Sequence, residues 1–144
     1  SMQKPQQVDF DISQIAGPHE PDQLREAIRA VQGRYQAAAA GNREAQIELA
    51  EWWCRTVGFA PAAFPWYLKA AIAGSGVAAR QVAFMYLAGK GVEESPPLAM
   101  HWGLIAILRG EREAVGVVNA ARSVLTPEER LAILSEFRKR HFPE

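Results

Sequence analysis

The sequence is short of most features that would name a chemistry. It holds one cysteine, Cys54, among 144 residues, so no disulfide can form within the chain. It has no surplus of either charge, since Lys plus Arg and Asp plus Glu each number 16. A balanced chain lacks the broad basic footprint that binds nucleic acid or an anionic membrane surface. No apolar run reaches the roughly 18 residues of a membrane span. The stretch 56–79 carries only Lys69 as a charge, but Gly58, Pro61, Pro65, Gly74 and Gly76 break it into two short segments. Residues 1–20 lack the apolar core of a signal peptide. If Met2 is the native start, the cytoplasm is the expected location; a leader removed upstream would make it the periplasm. Alternating Val, Ile and Thr runs are also nearly missing, which argues against strands.

What the chain has in quantity is alanine, 25 residues, the best helix former. Hydrophobic residues make up 49% and charged residues 22%, a globular composition far from the disordered class. The fold class is therefore all-α. Residues 1–20 read as an N-terminal arm, and 21–144 as one helical domain of about seven helices. The first helix spans about 21–40 on a Leu24, Ala27, Ile28 and Val31 stripe, and Gly41 ends it. The next is predicted over 43–57 and closed by Gly58. A shorter one follows Pro61 as far as Gly74, and another spans 77–88. Ser95 and Pro96 open a helix ending near Leu108, and one more covers 111–124. Thr126-Pro127-Glu128-Glu129 has the form of a capping box. It opens a last helix over 127–139 whose apolar stripe is Leu131, Leu134 and Phe137.

A repeat organises these helices. Ala40–Trp53 aligns with Ala73–Tyr86 at an offset of 33 residues, and Trp66–Gly74 aligns with Trp102–Gly110 at 36. The three added residues fall in a loop, where insertions are tolerated. The clearest units are 41–74 and 74–110, with a degenerate third over 110–140. Each reads as an antiparallel helix pair. Alanines allow close approach, and Trp53, Trp66, Tyr86 and Trp102 fill the space between pairs. One pair cannot bury its apolar face alone, so neighbours stack.

Tyr86-Leu87-Ala88-Gly89-Lys90-Gly91-Val92, the acidic pair Glu93-Glu94, then Ala99, Trp102 and Gly110 resemble a Sel-one-like repeat, a relative of the tetratricopeptide repeat. The likeness covers about 40–122. The first unit departs from the pattern: Trp53 stands for the tyrosine, and Cys54-Arg55-Thr56-Val57 replaces the glycine-rich turn. The third lacks the signature. The resemblance implies a short right-handed α-solenoid acting as a non-catalytic scaffold or adaptor that binds a protein or peptide on its concave side.

No catalytic constellation stands out. His19, His101 and His141 are far apart in sequence and form no HExxH pair. Cys54 reads as an inert thiol, because a nucleophile needs a neighbour that lowers its pKa. Gly89-Lys90-Gly91 lacks the upstream glycine and the Ser or Thr of a phosphate loop. No Cys/His cluster has metal-ligand spacing, so no metal or cofactor is expected. The basic run 138–141 suits a helix C-terminus.

The first helix of each unit should line the concave side. The outward stripe is Glu44, Glu48, Glu51 and Arg55 in the first unit. It is Val77, Gln81, Phe84 and Ala88 in the second, and Glu113, Val117 and Ala120 in the third. That groove grades from acidic to apolar and suits a basic amphipathic peptide, with Phe84, Trp52 and Met85 as anchors. Alternatives are a structural homo-oligomer joined through 104–108 and 115–118, or an enzyme or regulatory subunit with a site around Cys54 or His101.

Overall fold

The computed structural model describes residues 21–144. The expected arm, and the side chains of Leu24, Ala27 and Ile28, lie outside the described residues. Contacts divide the chain into two compact units, 1–33 and 34–144. Helix α1 is Pro21–Ala39.

The second unit continues with six further α-helices: α2 Arg43–Glu51, α3 Ala60–Ile72, α4 Gly76–Ala88, α5 Pro96–Leu108, α6 Ala114–Val124 and α7 Pro127–His141. No strand occurs among the described residues. Consecutive helices from α2 to α6 pack on one another, and α4 also meets α6 while α5 meets α7. This neighbour-to-neighbour packing is consistent with a helical repeat.

The repeat is written most plainly in the backbone. Three turns share one hydrogen-bond pattern. Gly41 donates to the Ala38 carbonyl and Asn42 to that of Ala37; Gly74 donates to Ala71 and Ser75 to Ala70; Gly110 donates to Ile107 and Glu111 to Ala106. Each is a Schellman ending, which needs a left-handed residue at the turn. The three glycines have φ of 99°, 109° and 95°, a region that costs glycine nothing and other residues strain. Directly after the first two, Asn42 and Ser75 cap the next helix by accepting from the Ala45 and Ala78 amides. Ser95 does the same for α5, and Thr126 and Glu129 form the reciprocal capping box of α7.

Alanine does what its abundance suggests. Ala50, Ala63, Ala70, Ala71, Ala78, Ala79, Ala83 and Ala106 are wholly buried between helices. Larger side chains, Leu49, Val82, Met85 and Met100, fill the remaining space. A fully buried side chain of that size contributes about 1.5–3 kcal/mol. Of the four rings expected to lock the pairs, only Trp53 is buried; Trp66, Tyr86 and Trp102 are half-buried. Phe64 and Tyr67 take the interior positions instead, with Phe64 edge-on to Tyr86 at 5.2 Å between centroids. Arg109 ties distant turns together by donating to the Ala71 carbonyl at 2.7 Å and the Ser75 carbonyl at 3.1 Å. Burial, then the nearby Arg43, lowers its pKa from the ordinary value.

Three boundaries differ from expectation. The helix predicted over 43–57 is α-helical only to Glu51; Trp52–Val57 form a π turn. There the amides of both Gly58 and Phe59 donate to the Trp53 carbonyl. Helix α6 starts at Ala114 rather than Glu111, because residues 111–113 complete the turn that Gly110 begins. Helix α7 reaches His141, its last turn rich in cations that suit a helix C-terminus. Its expected stripe is only partly inward. Leu131 is 69% exposed and Leu134 44%, while Ile133 and Phe137 are half-buried.

Candidate functional site

Two shallow adjoining concavities open on the second unit, and they share Arg55. The first, about 230 Å³, is lined by Arg34, Glu48, Glu51, Trp52, Arg55 and Thr56. The second, about 190 Å³, is lined by Cys54, Arg55, Tyr67, Gln81, Phe84, Met85 and Lys90. Seven of the eight residues singled out from the sequence fall in this pair; Glu44 is exposed but lines neither.

Local folding explains the placement. Glu44, Glu48 and Glu51 lie along one face of α2 at helical spacing, and the π turn carries Trp52, Cys54 and Arg55 beyond its end. The π geometry widens a turn by one residue, a departure that recurs at functional sites. Trp52 and Trp53 meet edge to face at 5.0 Å, and Trp53 meets Phe59 at 6.3 Å, so aromatic contacts brace the turn. Helix α4 supplies Gln81, Phe84 and Met85, and α3 supplies Tyr67. Lys90 arrives from the loop after α4, whose turn is set by Gly89 and Gly91 at φ 64° and 76°. Gly91 approaches the chain so closely that a Cβ there would lie 2.5 Å from the Ala60 carbonyl oxygen.

Two expectations need correction. Met85, expected as an exposed anchor, is 2% exposed and belongs to the core, so it floors the second concavity instead. In a helix apolar on most sides, spacing alone does not say which residue faces out. The charge also does not grade from acidic to apolar. Arg34 sits 3.7 Å from Glu48 in a solvent-exposed pair, of a kind worth about 0–1 kcal/mol. Arg55 and Lys90 rim the second concavity, which no carboxylate lines. The face is mixed at one end and cationic with aromatics at the other.

Phe84, expected on the outward stripe, is 46% exposed and lines the second concavity with Gln81. Tyr67 is nearly buried, and its hydroxyl pKa is pushed up to about 12, first by burial and then by Cys54 and Glu51, against a lowering by Arg55. The phenol therefore stays neutral and serves as a polar spot on the floor. Cys54 is half-buried in the same wall. His101 lies elsewhere, edge-on to Trp102 at 5.5 Å; burial, then Arg140 and His141, lowers its pKa. Cys54 and His101 therefore do not share a pocket. Among the described residues no group of three His, Cys, Asp or Glu side chains could hold a metal ion. No helix among them is long and apolar enough to cross a membrane.

Sequence reasoning missed Arg34, Thr56, Tyr67 and Lys90 as lining residues, and named Cys54 only for an alternative site. Lys90 was legible only as part of a turn, and Tyr67 only as an aromatic of a packed helix. Nothing local in the sequence says that either comes back to α4 and the π turn. No family model matches the sequence and no curated protein matches it, so the capability of this face must be read from its own geometry and charge.

Proposed function

We propose that the chain is a Sel-one-like helical-repeat module, a short right-handed α-solenoid of the tetratricopeptide class. In this reading it is a non-catalytic adaptor that binds a peptide segment of a partner protein across α2, the π turn and α4. The observation that carries the reading is Phe84. It is a large aromatic side chain left 46% exposed at the edge of a concavity floored by Met85 and Tyr67, with polar and charged side chains around it. Exposed aromatics at the centre of a polar rim are what protein-binding surfaces concentrate their affinity in. Each concavity is smaller than the roughly 300–1,000 Å³ of a small-molecule pocket. Spaces of 230 and 190 Å³ suit single side chains rather than a cofactor.

The test is capture of partners by the immobilised chain, compared with a Glu48→Lys/Phe84→Ala double variant. Both sites are exposed, so the melting curve should stay within about 0.5 kcal/mol of the parent per site. Partners identified by mass spectrometry should be lost from the variant. Undiminished capture removes this face from consideration.

A further inference from the structure

The second concavity specifies more than peptide binding. Its rim holds two exposed cations, Arg55 from the π turn and Lys90 from the loop after α4. Among the described residues neither is in an ion pair, whereas Arg34, Arg80 and Arg138 each are. Carboxylates stand close by, Glu94 against Gly89 and Glu51 near enough to act on Tyr67, but none lines this concavity. The same concavity is lined by the exposed Phe84 ring and the buried Met85, with the neutral Tyr67 phenol, Cys54 and the Gln81 amide as its uncharged polar groups. Cations outside any ion pair, beside an exposed aromatic ring, suit an anion joined to an apolar group. Arg can hold a carboxylate with two parallel hydrogen bonds, and Lys adds a mobile point charge.

The geometry points to a peptide in which an acidic side chain, Asp or Glu, neighbours a bulky apolar one. We infer that this is the partner chemistry of the second concavity, a conclusion that rests on the peptide-binding reading above. The apolar side chain lies on Phe84 over Met85, and the carboxylate bridges Arg55 and Lys90. The carboxylate belongs to a side chain rather than to a chain terminus. Arg55 is common to both concavities, so the bound backbone continues past it toward Trp52. The charge complementarity is the reverse of that expected from the α2 glutamates alone.

The experiment is a selection on the immobilised chain from a random-peptide library. Enriched sequences are resynthesised with both termini capped, so that no terminal carboxylate is present. Their affinities are measured against the parent chain, Phe84→Ala and Arg55→Glu/Lys90→Glu. The expected result is enrichment of Asp or Glu next to Phe, Leu, Ile or Trp. Binding should weaken about tenfold or more with the charge reversal, and also weaken with Phe84→Ala. If circular dichroism shows the reversal unfolded, Arg55→Gln/Lys90→Gln takes its place and should give a smaller loss in the same direction. Peptides that need Phe84 but are basic, or are indifferent to both charge variants, overturn this inference and leave the peptide-binding reading standing. Enrichment of no peptide sensitive to either change overturns both.

Discussion

Helices α5 and α7 begin in the same way and end up in different circumstances. Each opens on a hydroxyl cap followed by proline, Ser95-Pro96 and Thr126-Pro127, with the cap oxygen accepting from an amide three residues on. Yet α5 buries Ala99, Met100, Gly103, Ile105 and Ala106, whereas no residue of α7 is fully withdrawn from solvent. The difference is neighbours. Helix α5 is held between α4 and α6 and also touches α7, while α7 leans on α5. A helix flanked on both sides can hide most of its circumference. One at the end of a stack hides a single strip, here Ile133 and Phe137. The shared start signal sets where a helix begins, and the packing around it decides what it contributes to stability.

That contrast can be broken in three places. The largest effect is expected from Met100→Ala. Met100 is 1% exposed and packs with Ala99, Val118, Ala121 and Leu125, and a Met→Ala cavity costs about 2–5 kcal/mol. Chemical denaturation should show the loss in the midpoint for the whole unit, and a loss confined to one segment would contradict the central position of α5. Thr126→Ala is next. Removing a hydroxyl cap costs about 1 kcal/mol; Glu129 keeps the Thr126 amide, the main cause of its lowered pKa, and loses only the side-chain hydrogen bond. Hydrogen exchange should speed up in α7 while amides of α4 and α5 stay protected; equal loosening of all three would show that α7 is not separable.

The smallest effect is one of acidity. His101 of α5 is held below its usual pKa, first by burial and then by Arg140 and His141 of α7. A depressed histidine favours its neutral form when folded. The unfolded chain takes up the proton first as pH falls below about 6.5. The stabilisation is thus whole above that value and drains away as pH drops through the folded pKa. Protection of α7 amides, corrected for the intrinsic slowing of exchange in acid, should fall from about pH 7 to 5, and His101→Gln should flatten the fall. A flat profile in the parent chain would mean that His101 does not sense α7.

The sequence carried the skeleton of this fold because the signals were local. Gly41, Gly74 and Gly110 mark left-handed turns at offsets that recur, and Ser95 and Thr126 announce helix starts whatever surrounds them. Residues whose fate depends on a distant partner were not legible. Met85 looks like an outward residue until α3 and the π turn close over it. Leu131 and Leu134 look like core until one sees that no helix lies beyond α7 among the described residues to receive them. Arg109 looks like a solvated helix end, yet it reaches carbonyls 34 and 38 residues away. In the candidate site, the exposed stripe of α2 and α4 follows from periodicity. The cationic rim does not, because Lys90 is brought there by the path of a loop.

The π turn at 52–57 makes the winding of the backbone itself a determinant of recognition. Side chains there could be exchanged for similar ones at modest cost. Relaxing the stretch to an ordinary helix with every residue kept would instead swing everything before it by about 100° relative to everything after, because the widened turn absorbs one extra residue. Glu48, Glu51 and Trp52 would then turn away from the side on which Phe84 and Lys90 sit, and one continuous ledge would become two unrelated ones.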